Sequence, residues 1–218
     1  MAGDSFETLE PKWLCVFLID LSMGNDSLVK MDKELHDFHR LIMEDVTSRE
    51  RCELCVATFG HGFKVLQKPV LVENFTMPML RANNTESITK AVNDAVEKIK
   101  ARKRWYKETD QMFYRPCLVL ITNEAINELY HSDDFSQIRE DLSSRDYSFL
   151  KIGMNGTNVY IDNEGIKTYV KDQRSFSQVL FYIWRQERWK GSEKFSLDHS
   201  ENDIVLDDTT TGMLGFII

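Results

Sequence analysis

Apolar and polar positions fall into blocks along this chain. WLCVFLID, residues 13–20, is a continuous apolar run of strand length that ends in a carboxylate. Such a run suits a parallel strand covered on both faces. Leu28, Met31, Leu35, Phe38, Ile42 and Val46 follow at three- and four-residue spacing, one apolar helical stripe. Asn25, Asp26 and Ser27 are placed to cap its start. CELCVATFG (52–60) and KVLQKPVLV (64–72) read as two more strands. The short HGF connection makes them antiparallel, because a parallel pair needs a crossover. Pro69 sets the second at a sheet edge.

ENFTMPMLRANN (73–84) reads as loop. A helix begins near Thr85, capped by Thr85 or Ser87, buries Ile88, Ala91, Val92, Ala95, Val96 and Ile99, and runs out through KARKRWYKE. CLVLITN (117–123) is a central strand, Phe135 to Ser143 a helix, YSFLKIGM (147–154) a strand and TNVYID (157–162) a short one. SFSQVLFYIWRQERW (175–189) is the last helix, with Phe176, Val179, Leu180, Ile183 and Trp184 inward. Strands alternating with helices predict an α/β fold: a doubly wound, mostly parallel sheet with one antiparallel edge hairpin and helices on both faces, Rossmann-like. Residues 1–11 form an N-terminal extension, 12–190 the domain, and 191–218 an acidic tail, its first part read as disordered.

Charge and cysteine content narrow the class. The net charge of −8 argues against general nucleic-acid binding. No apolar run approaches the ~20 residues of a membrane helix, and the polar, acidic start is no secretory signal. The cytosol is the expected compartment. Cys15, Cys52, Cys55 and Cys117 sit in or beside apolar runs and read as buried thiols. Cys52 and Cys55 form a C-x-x-C, but three residues apart in a strand they point to opposite faces. His36 and His39 read as surface histidines of the first helix. KIKARKRWYK (98–107) sets six cations around Trp105 and Tyr106. It reads mainly as a solvated helix end whose cations complement the dipole, with an acidic protein segment, the chain's own tail included, as a second use.

In an open α/β sheet, ligands bind past the carboxyl ends of the strands where the winding reverses. Asp20 and Ser22 lie just past the first strand, Asn123 and Glu124 just past the central one, and Thr85 starts a helix that can approach the same crevice. These are hard oxygen donors, the kind magnesium uses.

VFLIDLSMG (16–24), VATFG (56–60), NNTES (83–87), YRPCLVLITNE (114–124) and SFSQVLFYIWRQ (175–186) together resemble a von Willebrand factor A domain of the cytosolic bacterial kind found in tellurite-resistance TerY proteins. The resemblance implies a metal-ion-dependent adhesion site, with Asp-x-Ser-x-Ser on the first loop, Thr on the second and Asp on the third. By position Asp20, Ser22 and Thr85 match. Gly24 stands in place of the second Ser and Asn123 in place of the final Asp. Losing a water-bridged carboxylate ~5 Å from a divalent ion removes about 7 kcal/mol of gross attraction. Even a net loss of ~3 kcal/mol weakens binding about a hundredfold. The expectation is a degenerate site with Mg²⁺ weakly held or absent.

The function expected is a non-enzymatic protein-interaction module in bacterial stress-response or anti-phage signalling. Its partner is another protein, met through an acidic residue at a face made by Asp20, Ser22, Asn25, Thr85, Asn123 and Glu124. Two alternatives remain open: a magnesium-dependent phosphoryl-transfer or hydrolytic enzyme using Asp20, and a structural subunit docking through its tail. No phosphate-cradling or nucleophile motif is present.

Overall fold

The computed structural model describes residues 10–83, 87–123, 133–152, 158–163, 166–171, 177, 178, 181 and 185. Strands β1 (Trp13–Asp20), β2 (Cys52–Phe59), β4 (Cys117–Ile121) and β5 (Ser148–Ile152) pair in parallel in the order β2-β1-β4-β5. β3 (Lys64–Leu71) adds antiparallel to β2 at one edge, as the short connection requires. β6 (Asn158–Asn163) and β7 (Ile166–Lys171) add antiparallel beyond β5, giving seven strands in the order β3-β2-β1-β4-β5-β6-β7. The doubly wound α/β sheet is as expected. Its second hairpin is an addition, since IKTYVK did not read as a strand.

β1 is apolar throughout because it is central and covered on both sides. Trp13, Cys15, Phe17 and Ile19 face helix α1 (Asn25–Glu44), whose Leu28, Met31, Leu35, Phe38 and Ile42 fill that core. Phe17 and Phe38 meet edge to face, ring centroids 5.7 Å apart. Leu14, Val16 and Leu18 face α3 (Ile88–Glu108) and α4 (Ser136–Ser143) on the other side. Cys52 falls in the first core and Cys55 in the second, so the C-x-x-C does point to opposite faces. Burial pushes the Cys15 and Cys52 thiols well above their ordinary range and the Cys55 thiol up to about 12. Protonated and enclosed, these three are packing residues.

Three local readings are corrected. The first helix stops at Asp45, whose extended backbone breaks it and whose carboxylate accepts from Thr47 and Ser48 N–H to cap α2 (Val46–Arg51). Val46 therefore leaves the stripe and is exposed. Gly24, not Asn25, Asp26 or Ser27, is the N-cap of α1, and no side chain caps it. His39 is half-buried rather than a plain surface residue: its Nε2 lies 2.9 Å from the Val72 carbonyl and its ring packs on Phe75. Ser87 is the cap of α3, accepting from Lys90 N–H.

The last helix shows at Ser177, Gln178, Phe181 and Arg185. Glu34 of α1 accepts from both N–H and Oγ of Ser177 at 3.1 Å, tying the two helices together. Phe181 packs on the α1-side core. Phe176, Val179, Leu180, Ile183 and Trp184 lie outside the described residues, as do 1–9 and the tail 191–218. Among the described residues no helix is long and apolar enough to cross a membrane.

Candidate functional site

The chain winds from β1 outward to β2 and then returns to β4 on the other side of β1. The winding therefore reverses between β1 and β4, and the crevice past their carboxyl ends is the ligand position of such a sheet. Register sets what meets there. Ile19 pairs with Ile121, so Asp20 and Thr122 are level on adjacent strands. Both continue the parity of Leu18 and Leu120, which face the α3 side.

Asp20 is 2% exposed and its carboxylate accepts three hydrogen bonds. Oδ1 accepts from Ser22 N–H at 2.8 Å and from Ser22 Oγ at 2.7 Å. Oδ2 accepts from Thr122 Oγ1 at 2.7 Å. The first pair folds Leu21–Met23 into a single 3₁₀ turn with Asp20 as its cap. Among the described residues no cationic side chain pairs with Asp20. A buried carboxylate is ordinarily paired with a charge; this one is held by hydroxyls and an amide.

The other expected residues are placed unevenly. Gly24 follows the turn with φ +85°, a conformation L side chains rarely adopt, although the space where a Cβ would stand is empty. Asn25 is the exposed first residue of α1. Asn123 is half-buried directly after Thr122. Thr85 and Glu124 lie outside the described residues. The loop leading to Thr85 does reach the site, because Asn83 N–H donates to the Leu21 carbonyl at 3.0 Å. Thr122 is not among the residues expected from the sequence; its parity with Leu118 and Leu120 is the signal for it, while Asn123 is the positional match to the motif.

Among the described residues no group of three or more His, Cys, Asp or Glu is arranged to hold a metal ion. Among the described residues the oxygen donors at this edge are the Asp20 carboxylate, the Ser22 and Thr122 hydroxyls and the amide of Asn123.

No protein-family profile and no characterised protein matches the sequence. Solved structures similar in shape include manganese-loaded Plasmodium vivax TRAP protein, at 18% identity and TM-score 0.45, over 66% of this chain and 58% of that one. Another is the ArnB paralog VWA2 from Sulfolobus acidocaldarius, at 14% identity and TM-score 0.44, over 66% and 35%. A third is BatB from Bacteroides thetaiotaomicron, at 11% identity and TM-score 0.43, over 84% and 100%. Likeness at this level says nothing about what the chain binds.

Proposed function

We propose that this chain is a non-enzymatic protein-interaction module of von Willebrand factor A type, with a degenerate metal-ion-dependent adhesion site at the carboxyl ends of β1 and β4. The observation that carries the reading is Asp20: a buried carboxylate at the winding reversal, oriented by Ser22 and Thr122 and without a cationic partner among the described residues. Asn83, two residues before Thr85 in the sequence, is tied to the same turn through the Leu21 carbonyl.

Magnesium is weakly held or absent, for want of a second carboxylate and a usable hydroxyl at Gly24. Without an ion the face offers one buried negative charge ringed by neutral hydroxyl and amide groups, which favours hydrogen-bond donors from a partner. An acidic partner residue needs the ion. An aspartyl nucleophile would need a neighbouring acid to hold magnesium; the residue after Thr122 is Asn123 instead. The setting proposed is cytosolic stress-response or anti-phage signalling, which rests on the sequence resemblance.

The test compares full-length wild type with Asp20→Asn. Affinity capture from the source cells, with and without added manganese, should recover a partner that the variant loses while retaining its fold. Equal capture by both proteins overturns the reading. So does phosphate-ester turnover by the wild type that the substitution abolishes.

A further inference from the structure

The opposite end of the sheet carries a surface that the Asp20 face does not explain. On α3, the Arg102 guanidinium stacks over the Trp105 indole at 3.9 Å and lies 5.0 Å from the Tyr106 ring centroid. It is held from behind by Glu53, through Nε at 2.9 Å and Nη2 at 2.6 Å. Trp105 is nonetheless 44% exposed. An indole fixed in place and left open is the kind of group that anchors interfaces, because little entropy remains to be lost on contact. Residues 98–107 hold six cations and no acid. Lys100, Arg102 and Lys103 are consumed by Asp141, Glu53 and Asp146. Lys98, Arg104 and Lys107 are exposed, and among the described residues none of them pairs with an acid. Helical spacing sets Lys98 on the face of Trp105, with the exposed Glu108 and then Arg104 to one side and Lys107 on the far side.

The chain itself contains the complementary segment. Residues 191–218 carry Glu193, Asp198, Glu201, Asp203, Asp207 and Asp208 against Lys194, so most of the net charge of −8 lies there. Phe195 and Leu197 stand among these acids. From Arg185 to Asp208 the chain can span up to ~75 Å, more than the ~65 Å path halfway round a domain of this size. We propose that residues 193–208 dock on the Trp105 platform of the same chain, acids toward Lys98 and Arg104 and an apolar side chain on the indole. This contact is independent of the Asp20 reading.

Zero-length carbodiimide cross-linking of the full chain tests it. At low salt the monomer should yield cross-links from Lys98 to acids within 193–208. They should disappear near 0.5 M salt, where the Debye length is about 4 Å. Trypsin cleavage after Lys194 gives a second readout. Lys98→Glu with Arg104→Glu should accelerate it about fivefold, the effect of losing two exposed ion pairs, and Asp198→Asn with Glu201→Gln and Asp203→Asn should do the same. Cross-links confined to a dimer band would assign the surface to a second copy and overturn the proposal. Absent cross-links together with unchanged cleavage rates would also overturn it.

Discussion

Two buried carboxylates sit near opposite ends of the same sheet, and their company differs. Glu53, at the start of β2, is 4% exposed and accepts from Arg102 through two nitrogens and from the Tyr106 hydroxyl at 2.6 Å. Asp20, at the end of β1, is 2% exposed and accepts only from hydroxyls and an amide. The first is a closed ion pair that ties α3 to the sheet. The second keeps a formal charge that no described side chain cancels. Charge left in that state is poor economy for stability and useful for recognition, which is why the reading of function rests at the Asp20 end.

The largest effect expected comes from breaking the closed end. Arg102→Met leaves Glu53 buried without its counter-charge and should cost about 3–5 kcal/mol in denaturant unfolding. A loss below ~1 kcal/mol would mean the ion pair is not what holds this end.

Tyr106→Phe removes one charge-assisted hydrogen bond and should cost about 1.5–2 kcal/mol at neutral pH. Its pH dependence is diagnostic. Burial, and then the negative charge of Glu53, raise the Tyr106 phenol above its ordinary value of 10.0. The native state thus keeps a proton that the unfolded chain gives up, so this contribution is present below pH 10 and is lost as pH rises above it. The stability gap between wild type and Tyr106→Phe should narrow by about 1.4 kcal/mol per pH unit in that range. The raised Cys15, Cys52 and Cys55 thiols add an alkaline slope common to both proteins. A gap that stays constant would place the Tyr106 proton elsewhere.

The smallest stability effect belongs to the open end. Asp20→Asn keeps an acceptor for Ser22 and offers an N–H₂ to Thr122, so unfolding should change by less than about 1 kcal/mol. A loss comparable to that of Arg102→Met would make Asp20 a structural tie like Glu53.

Much of this contrast could not be read from the chain. Local period revealed β1, the apolar stripe of α1 from Leu28 to Ile42, the face of α3 and the β2–β3 hairpin, because each is set by neighbours in sequence. Nothing local to Glu53 says that Arg102, 49 residues on, will reach it. Thr122 was hidden for the same reason, being 102 residues from Asp20. The break at Asp45 was decided by a capping geometry that competes with apolar spacing. Gly24 read as a missing hydroxyl. Its positive φ adds that restoring a serine there also strains the turn. Thr85 and Glu124, the other residues expected at this face, lie outside the described residues.

Calorimetry with magnesium and manganese on wild type and on Asn123→Asp addresses the Asp20 end directly. A single engaged carboxylate predicts that the wild type binds neither ion more tightly than about millimolar, and that restoring the second carboxylate tightens binding by about a hundredfold. Micromolar binding by the wild type, or no gain in the variant, would contradict the account.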